Sequence, residues 1–430
     1  MGTRMAGLAA ACLLICALPL SGAWPQDAIT SGEILDLERC IALALENHPA
    51  LLAASGSLRA SRGRVQGAKS GYYPQVSASS AYTRSHPADT EERKGTRGSL
   101  YRNSVDLSQN IYDFGRTSAL VEVQSLGASA SREDLRDTSR EVVFNVKQAY
   151  YGILQARQDR DTYAEAVKLF QLHLEQAKKF YEVGLRAKID VTTAEVNLGQ
   201  ARLSLLNAEN SLRIARIVLN NAMGMPDAPP YEVENVPVHQ EHPADLDSAL
   251  EKAYDRRPDL LSARARVDAA RQEVVLAGKG YYPRLSGNAG YGWSGSDYPL
   301  GEGWSFGASL DFPLFNGFLT RSQVEEARGN LQTAQAVEKL VRQNVRFDVE
   351  QAFYNLKSVR EKMSLAELTL AQARQNRDLA LGRYQSKVGS SIEVADAVLA
   401  EISARTAYVN TLYDYRTAVA SLEMAMGGDR

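Results

Sequence analysis

The chain is poor in the features that mark most other classes of protein. Only three of its 430 residues are cysteine. Cys12 and Cys16 lie in an apolar N-terminal segment and Cys40 stands alone. No internal disulfide can therefore staple the remainder, and Cys40 reads as core filler. Neither sign of charge is in excess. Basic side chains number 49 and acidic ones 51, which leaves no basic stripe for nucleic acid. Past the N-terminus no apolar run reaches the ~18 residues that a membrane-spanning helix needs, and the mean hydropathy is −0.30. A helical integral membrane protein is thereby excluded. A transmembrane β-barrel is not, because alternating strands leave only a weak hydropathy trace. No Ser-His-Asp or Cys-His set stands on an ordered scaffold. Three motif-like strings also fail. Gly290-Tyr291-Gly292-Trp293-Ser294-Gly295 matches a dinucleotide fingerprint by letter, but lies in a strand pattern with no helix after it to receive a phosphate. Asp113-Phe114-Gly115 lacks every other kinase element. His239 and His242 have neither cysteine partners nor the helical spacing of a metal site. No enzyme chemistry, cofactor or metal is expected.

What is present begins with an export signal. Arg4 supplies a charge, residues 5–18 an apolar core, and Ser21-Gly22-Ala23 small residues for cleavage, so residues 1–23 read as a signal peptide. Neither Cys12 nor Cys16 follows a convincing lipoprotein box, and acylation is not inferred.

The mature chain is two copies of one plan. Asn47-His48-Pro49-Ala50-Leu51-Leu52 corresponds to Arg256-Arg257-Pro258-Asp259-Leu260-Leu261. Tyr72-Tyr73-Pro74 corresponds to Tyr281-Tyr282-Pro283, and Phe114-Gly115 to Asn316-Gly317. Gln148-Ala149-Tyr150-Tyr151 is matched by Gln351-Ala352-Phe353-Tyr354, and Ala222-Met223-Gly224 by Ala425-Met426-Gly427. The offset stays between 202 and 209 residues throughout. The copies span 24–224 and 246–430, joined by a linker at 225–245 that is rich in proline.

Proline is absent from 88–225 and from 314–430, and an internal proline costs a helix about 3 kcal/mol. Helical patterns run over 117–183 and 319–386, each about 100 Å long at 1.5 Å per residue, a length that implies coiled-coil packing. A turn follows each, and helices return over 189–223 and 392–426. Further helices are expected over 34–70 and 246–278. Two shorter helices end to end then match one long helix in each copy.

Between the opening and long helices the period changes from 3.6 to 2. In the run 304–314, Trp304, Phe306, Ala308, Leu310, Phe312 and Leu314 share a face, with Ser305, Gly307, Ser309 and Asp311 on the other. Runs at 75–83, 101–111 and 285–293 behave alike, giving hairpins at about 75–112 and 284–315. Their length suits tilted membrane strands. No other sheet material is visible to cover the apolar faces. Four strands cannot close a barrel, for which about eight are the minimum. An open edge in lipid is forbidden, so several chains must share one barrel.

These duplicated landmarks, with Phe180-Tyr181-Glu182-Val183-Gly184-Leu185-Arg186-Ala187-Lys188-Ile189-Asp190-Val191 at the first turn and Arg383-Tyr384-Gln385-Ser386 through Ile392-Glu393-Val394-Ala395-Asp396-Ala397 at the second, resemble the TolC family of outer-membrane efflux proteins over essentially the whole mature chain. The resemblance implies a mixed α and β membrane protein. Long helical coiled-coil hairpins would form a periplasmic α-barrel, and four strands per protomer would enter a shared 12-stranded transmembrane barrel in a homotrimer. It implies a passive conduit of a tripartite efflux or type I secretion system, set in outer-membrane lipid and docked to a periplasmic adaptor and an inner-membrane transporter. On the residues themselves a second reading stays open: a periplasmic coiled-coil adaptor or structural protein whose hairpins pair with a partner's sheet.

The resemblance places Glu393 and Asp396 at a periplasmic constriction. Three apart, they share a helix face, and stand either as acidic rings that attract cations or as a solvated surface. Asp190 and Tyr384 match positions that tie neighbouring hairpins shut. The position of a gating arginine is held by Gly389, and Lys387 sits where glycine is usual. Asp190 is expected to pair with Lys387, with Arg383 or with nothing. Val183, Gly184, Leu185, Val388, Gly389 and Ser390 form the turns that would meet the adaptor.

Overall fold

The computed structural model describes residues 29–86, 98–235 and 245–428. The signal segment 1–23, most of the first hairpin's loop, and His239 and His242 lie outside the described residues. Both halves run through one element order: a two-residue strand, two helices, two strands and two helices. The first half is β1 (Ile34–Leu35), α1 (Leu37–Asn47), α2 (Pro49–Lys69), β2 (Gln75–Ser85), β3 (Gly98–Tyr112), α3 (Arg116–Glu182) and α4 (Lys188–Ala222). The second is β4 (Glu232–Val233), α5 (Leu246–Arg256), α6 (Pro258–Gly278), β5 (Arg284–Gly295), β6 (Gly301–Asp311), α7 (Leu319–Gln385) and α8 (Ser391–Ala425).

Three expectations need correction. The opening helix of each copy is not continuous. The residue before proline is pushed to extended backbone, so His48 and Arg257 have ψ of 123° and 120°, and Pro49 and Pro258 start new helices at a position where their missing N–H costs nothing. Sheet material beyond the four long strands also exists. β1 pairs in parallel with β4, and the Tyr150 hydroxyl lies 3.1 Å from the Leu35 carbonyl and 2.7 Å from that of Glu234. The fourth long strand spans Gly301–Asp311 rather than 304–314. Asp311 is its last paired residue, opposite Arg284, and Pro313 beyond it has no N–H for the ladder.

The four long strands form one antiparallel sheet in the order β2-β3-β5-β6, leaving β2 and β6 as edges. Paired residues point to the same side. One face carries the rows Ala78, Val105, Tyr291, Trp304 and Val76, Leu107, Ala289, Phe306. The other carries Ser79, Ser104, Gly292, Gly303 and Ser77, Asp106, Gly290, Ser305. In these rows one side of the sheet is thus apolar from edge to edge and the other polar, while the next row outward on the apolar side, Ser80, Asn103, Trp293 and Glu302, is mostly polar. The apolar side is uncovered: Trp304 and Phe306 are each 79% exposed.

Beyond the sheet, α3 and α7 each run 67 residues, about 100 Å. The Asp113 carboxylate accepts the Thr117 N–H at 2.8 Å and those of Gly115 and Arg116 at 3.1 Å, satisfying donors that the start of α3 leaves free. α2 and α4 lie end to end along α3, as α6 and α8 do along α7. Midway, Val146, Tyr150 and Leu154 of α3 pack on Leu43 and Ala44 of α1 and on Leu219 and Met223. Cys40 is buried there, and its thiol is pushed up to about 12, chiefly by burial, which leaves it inert filler. Val345, Val349 and Leu356 of α7 make the matching core with Ala249, Leu260 and Leu422. The glycines closing the return helices fit against the breaks at His48 and Arg257. Gly224 has φ +71° and Gly427 φ +87°, and a Cβ on them would meet His48 Cα at 2.8 Å and the Arg256 carbonyl carbon at 2.9 Å. Polar ties join α3 to α8: Lys147 to Glu423 at 2.7 Å, Gln155 to Asn410 at 2.8 Å, and Glu165 to Arg405.

Candidate functional site

The functional residues expected from the sequence gather at the end of the helices farthest from the sheet. Two short turns, 183–187 and 386–390, reverse the chain there. α3 ends with Gly184 at φ +73°, whose N–H bonds the Tyr181 carbonyl at 3.0 Å, while the Leu185 N–H reaches that of Phe180 at 2.8 Å. This is a left-handed helix cap. α7 ends in the same geometry with Lys387 in the glycine's place, at φ +67°. Its N–H bonds the Tyr384 carbonyl, and the Val388 and Gly389 N–H groups bond that of Arg383, all at 3.0 Å. Gly389 is favoured for a different reason: a Cβ there would sit a tight 3.0 Å from Arg383 Cβ and 3.1 Å from the Tyr384 nitrogen. The Ser390 hydroxyl then caps α8 by accepting the Glu393 N–H at 3.1 Å.

Behind the turns the four helices share one core. Phe170, Leu174 and Ala177 of α3, Ala194 and Leu198 of α4, Tyr384 of α7, and Val394 and Val398 of α8 pack together. Tyr384 is wholly buried. Its ring lies 5.0 Å from that of His173 and 5.6 Å from that of Phe180, and the Arg186 guanidinium sits 5.4 Å from its centre. Burial pushes its phenol above the ordinary value, and the nearby Asp190 carboxylate adds to this while Arg186 opposes it. Arg186 goes further and donates to the Gly389 carbonyl at 2.5 Å, bridging the two turns.

The expected closure residues are thus only partly brought together. Arg383 does not reach Asp190. It pairs with Glu393 at 3.3 Å on the exposed surface. Among the described residues Asp190 and Lys387 form no ion pair. Tyr384 acts between the two hairpins of a single chain. Glu393 and Asp396 are both exposed on the first turns of α8. The turn residues Val183, Leu185 and Val388 are exposed too, at 68%, 50% and 71%.

Two residues escaped the sequence reading. Arg186 occupies in the first turn the place that Gly389 holds in the second, so aligning the two turns residue by residue would have exposed the exchange. His173 gave no signal: it is an isolated histidine within a long helix, and only the fold puts it beside Tyr384 and Ser391.

Residues 40–225 and 249–428 match the family described as "Outer membrane efflux protein". The chain belongs to the outer membrane efflux protein family. The outer membrane protein TolC of Escherichia coli is 24% identical over 400 residues, covering 89% of this chain and 80% of the relative. Protein CyaE of Bordetella pertussis is 26% identical over 410 residues, covering 94% and 85%. The CmeC outer membrane channel of Campylobacter jejuni superposes with a TM-score of 0.81 at 18% identity, covering 94% of this chain and 90% of the channel. This outer membrane efflux protein is therefore a channel subunit of the outer membrane that extends into the periplasm. The conduit reading stands over that of a periplasmic adaptor or structural coiled coil.

Proposed function

We propose that three copies of this chain close one barrel through the free edges of β2 and β6, and that their helices continue it as a sealed tube. One observation carries this: a four-stranded sheet with an edge-to-edge apolar band on one face, a polar band behind it, and both edges unpaired. An edge left open in lipid costs several kcal/mol per unpaired backbone group, and four strands are about half of the smallest barrel. Three copies supply twelve strands. The assembly is a passive conduit and not an enzyme. A periplasmic adaptor docks at the turns, where exposed Val183, Leu185 and Val388 offer apolar surface on a scaffold shaped by Gly184, Gly389 and Ser390. An inner-membrane transporter supplies the energy, in a tripartite efflux or type I secretion system. The export signal at 1–23 delivers the chain to this site.

At the tube's end, Tyr384, Asp190, Arg383 and Lys387 surround the closure, and Arg186 supplies the bridge between turns that Gly389 cannot. Glu393 and Asp396, repeated in each copy, line the constriction with carboxylates that attract cations, Arg383 offsetting part of that charge. Purified protein added to planar bilayers is expected to give discrete, cation-selective channels. Replacing both Glu393 and Asp396 with Ala raises the single-channel conductance or weakens the cation preference. Protein that inserts without conducting removes the conduit, and double-variant channels with unchanged current and selectivity remove the acidic ring.

A further inference from the structure

His173 of α3 is buried at the turn end, between Tyr384 of α7 and Ser391 of α8, and it is only 4% exposed. Its Nε2 lies 3.0 Å from the Ser391 hydroxyl on the first residue of α8, a link between chain segments 218 residues apart. Its ring packs edge-on against Tyr384 of α7. Its Nδ1 is buried and has no hydrogen-bond partner. A neutral imidazole tolerates this, with Nδ1 as a bare acceptor. A protonated one carries a second N–H with nothing to receive it, plus a charge in an apolar core.

We propose that His173 is a proton-sensitive clamp that holds the α3–α4 hairpin against the α7–α8 hairpin while neutral and releases it when protonated, so that acid favours opening of the tube. The proposal rests on the reading of this tip as the channel's closed end.

The surroundings decide the sign. From α4, the Asp190 carboxylate favours a charged ring. α7 presents the neutral Tyr384 and α8 the neutral Ser391. Three pairs of charges on these helices offset one another: Arg383 with Glu393 at 3.3 Å, Arg377 with Glu401 at 2.7 Å, and Lys178 with Glu195 at 3.6 Å. Lys387 points to solvent. Burial outweighs Asp190 and holds the imidazole below its ordinary value. A histidine freed by opening titrates near about 6.5. The closed arrangement therefore binds fewer protons than the open one. Its advantage is complete above that pH and shrinks as pH falls below it, by up to about tenfold per pH unit for each copy.

Channels in planar bilayers are compared at pH 7.5 and 5.5. The intact protein is expected to conduct more, or open more often, at pH 5.5. His173→Gln, which keeps a side-chain hydrogen bond to Ser391 within reach but cannot be protonated, is expected to respond flatly. The double Ala variant at Glu393 and Asp396 is expected to keep the response. Channels that form but show no gain at pH 5.5, or a His173→Gln channel with the full gain, overturn the clamp while leaving the conduit intact. Failure to form channels at any pH strikes the conduit itself. Where the Gln variant does not assemble, the unaltered protein decides alone. Amide exchange over residues 391–398, corrected for the intrinsic effect of pH, must rise at pH 5.5, and unchanged protection overturns the proposal.

Discussion

Lys387 holds a backbone conformation that costs a residue with a Cβ roughly 1–2 kcal/mol relative to the right-handed region. Gly184 holds the equivalent place in the first turn with no such cost. Glycine in turn loses more freedom on folding, by about 0.5–1 kcal/mol, so the two effects partly cancel. Lys387→Gly is expected to stabilise the protein slightly, by about 0.5–1 kcal/mol, raising the midpoint of thermal unfolding. A lowered midpoint would mean that the lysine side chain makes a contact worth more than the strain. Gly389 has an ordinary φ, and a side chain there would press on Arg383 and the Tyr384 nitrogen instead. The family resemblance marks both positions as departures, Lys387 from a usual glycine and Gly389 from a gating arginine, and the structure shows different physics at each: a dihedral angle at Lys387, a close approach at Gly389. Arg186 shows in the sequence only when the two turns are set side by side, and its partner not at all; His173 gives no signal. Their partners, Gly389 and Ser391, lie 203 and 218 residues away, and no local spacing encodes such a meeting.

At the scale of elements the sequence was most informative where one physical signal dominated. Two proline-free, Ala- and Leu-rich stretches placed α3 and α7 to within about a residue at each end, and duplicated landmarks placed their return helices equally well. Two kinds of element were missed. The break between α1 and α2 keeps the apolar spacing on both sides, so only Pro49 marked it, and the pattern was read through it. β1 and β4 are two residues each and have no period to detect. The sheet's two faces, by contrast, were set by strict alternation, and their functions can be separated by mutation. Phe306 lies on the apolar face in register with Ala289, and Ser305 on the polar face opposite Gly290. A charge on the lipid side of a barrel costs about 2–4 kcal/mol near mid-membrane. Phe306→Lys is expected to reduce the amount of assembled protein in the outer membrane several-fold, while Ser305→Lys leaves assembly near normal. Equal loss from both substitutions would show that the two faces do not meet different solvents.

For the whole molecule, one chain is an incomplete object. Its helices present long exposed faces, and its sheet ends in two open edges that neither lipid nor water inside a bilayer can satisfy. In the proposed assembly, more of the same chain completes it, joining β6 of one copy to β2 of the next until the ring closes. The duplicated plan makes this simple, because each half already supplies one hairpin, one long helix and its covering pair. The measurement that tests this most directly is the mass of the protein solubilised from outer membranes in mild detergent, read by light scattering with the detergent contribution removed. The account predicts the mass of three chains. A mass of one chain, stable and unassociated, would contradict it.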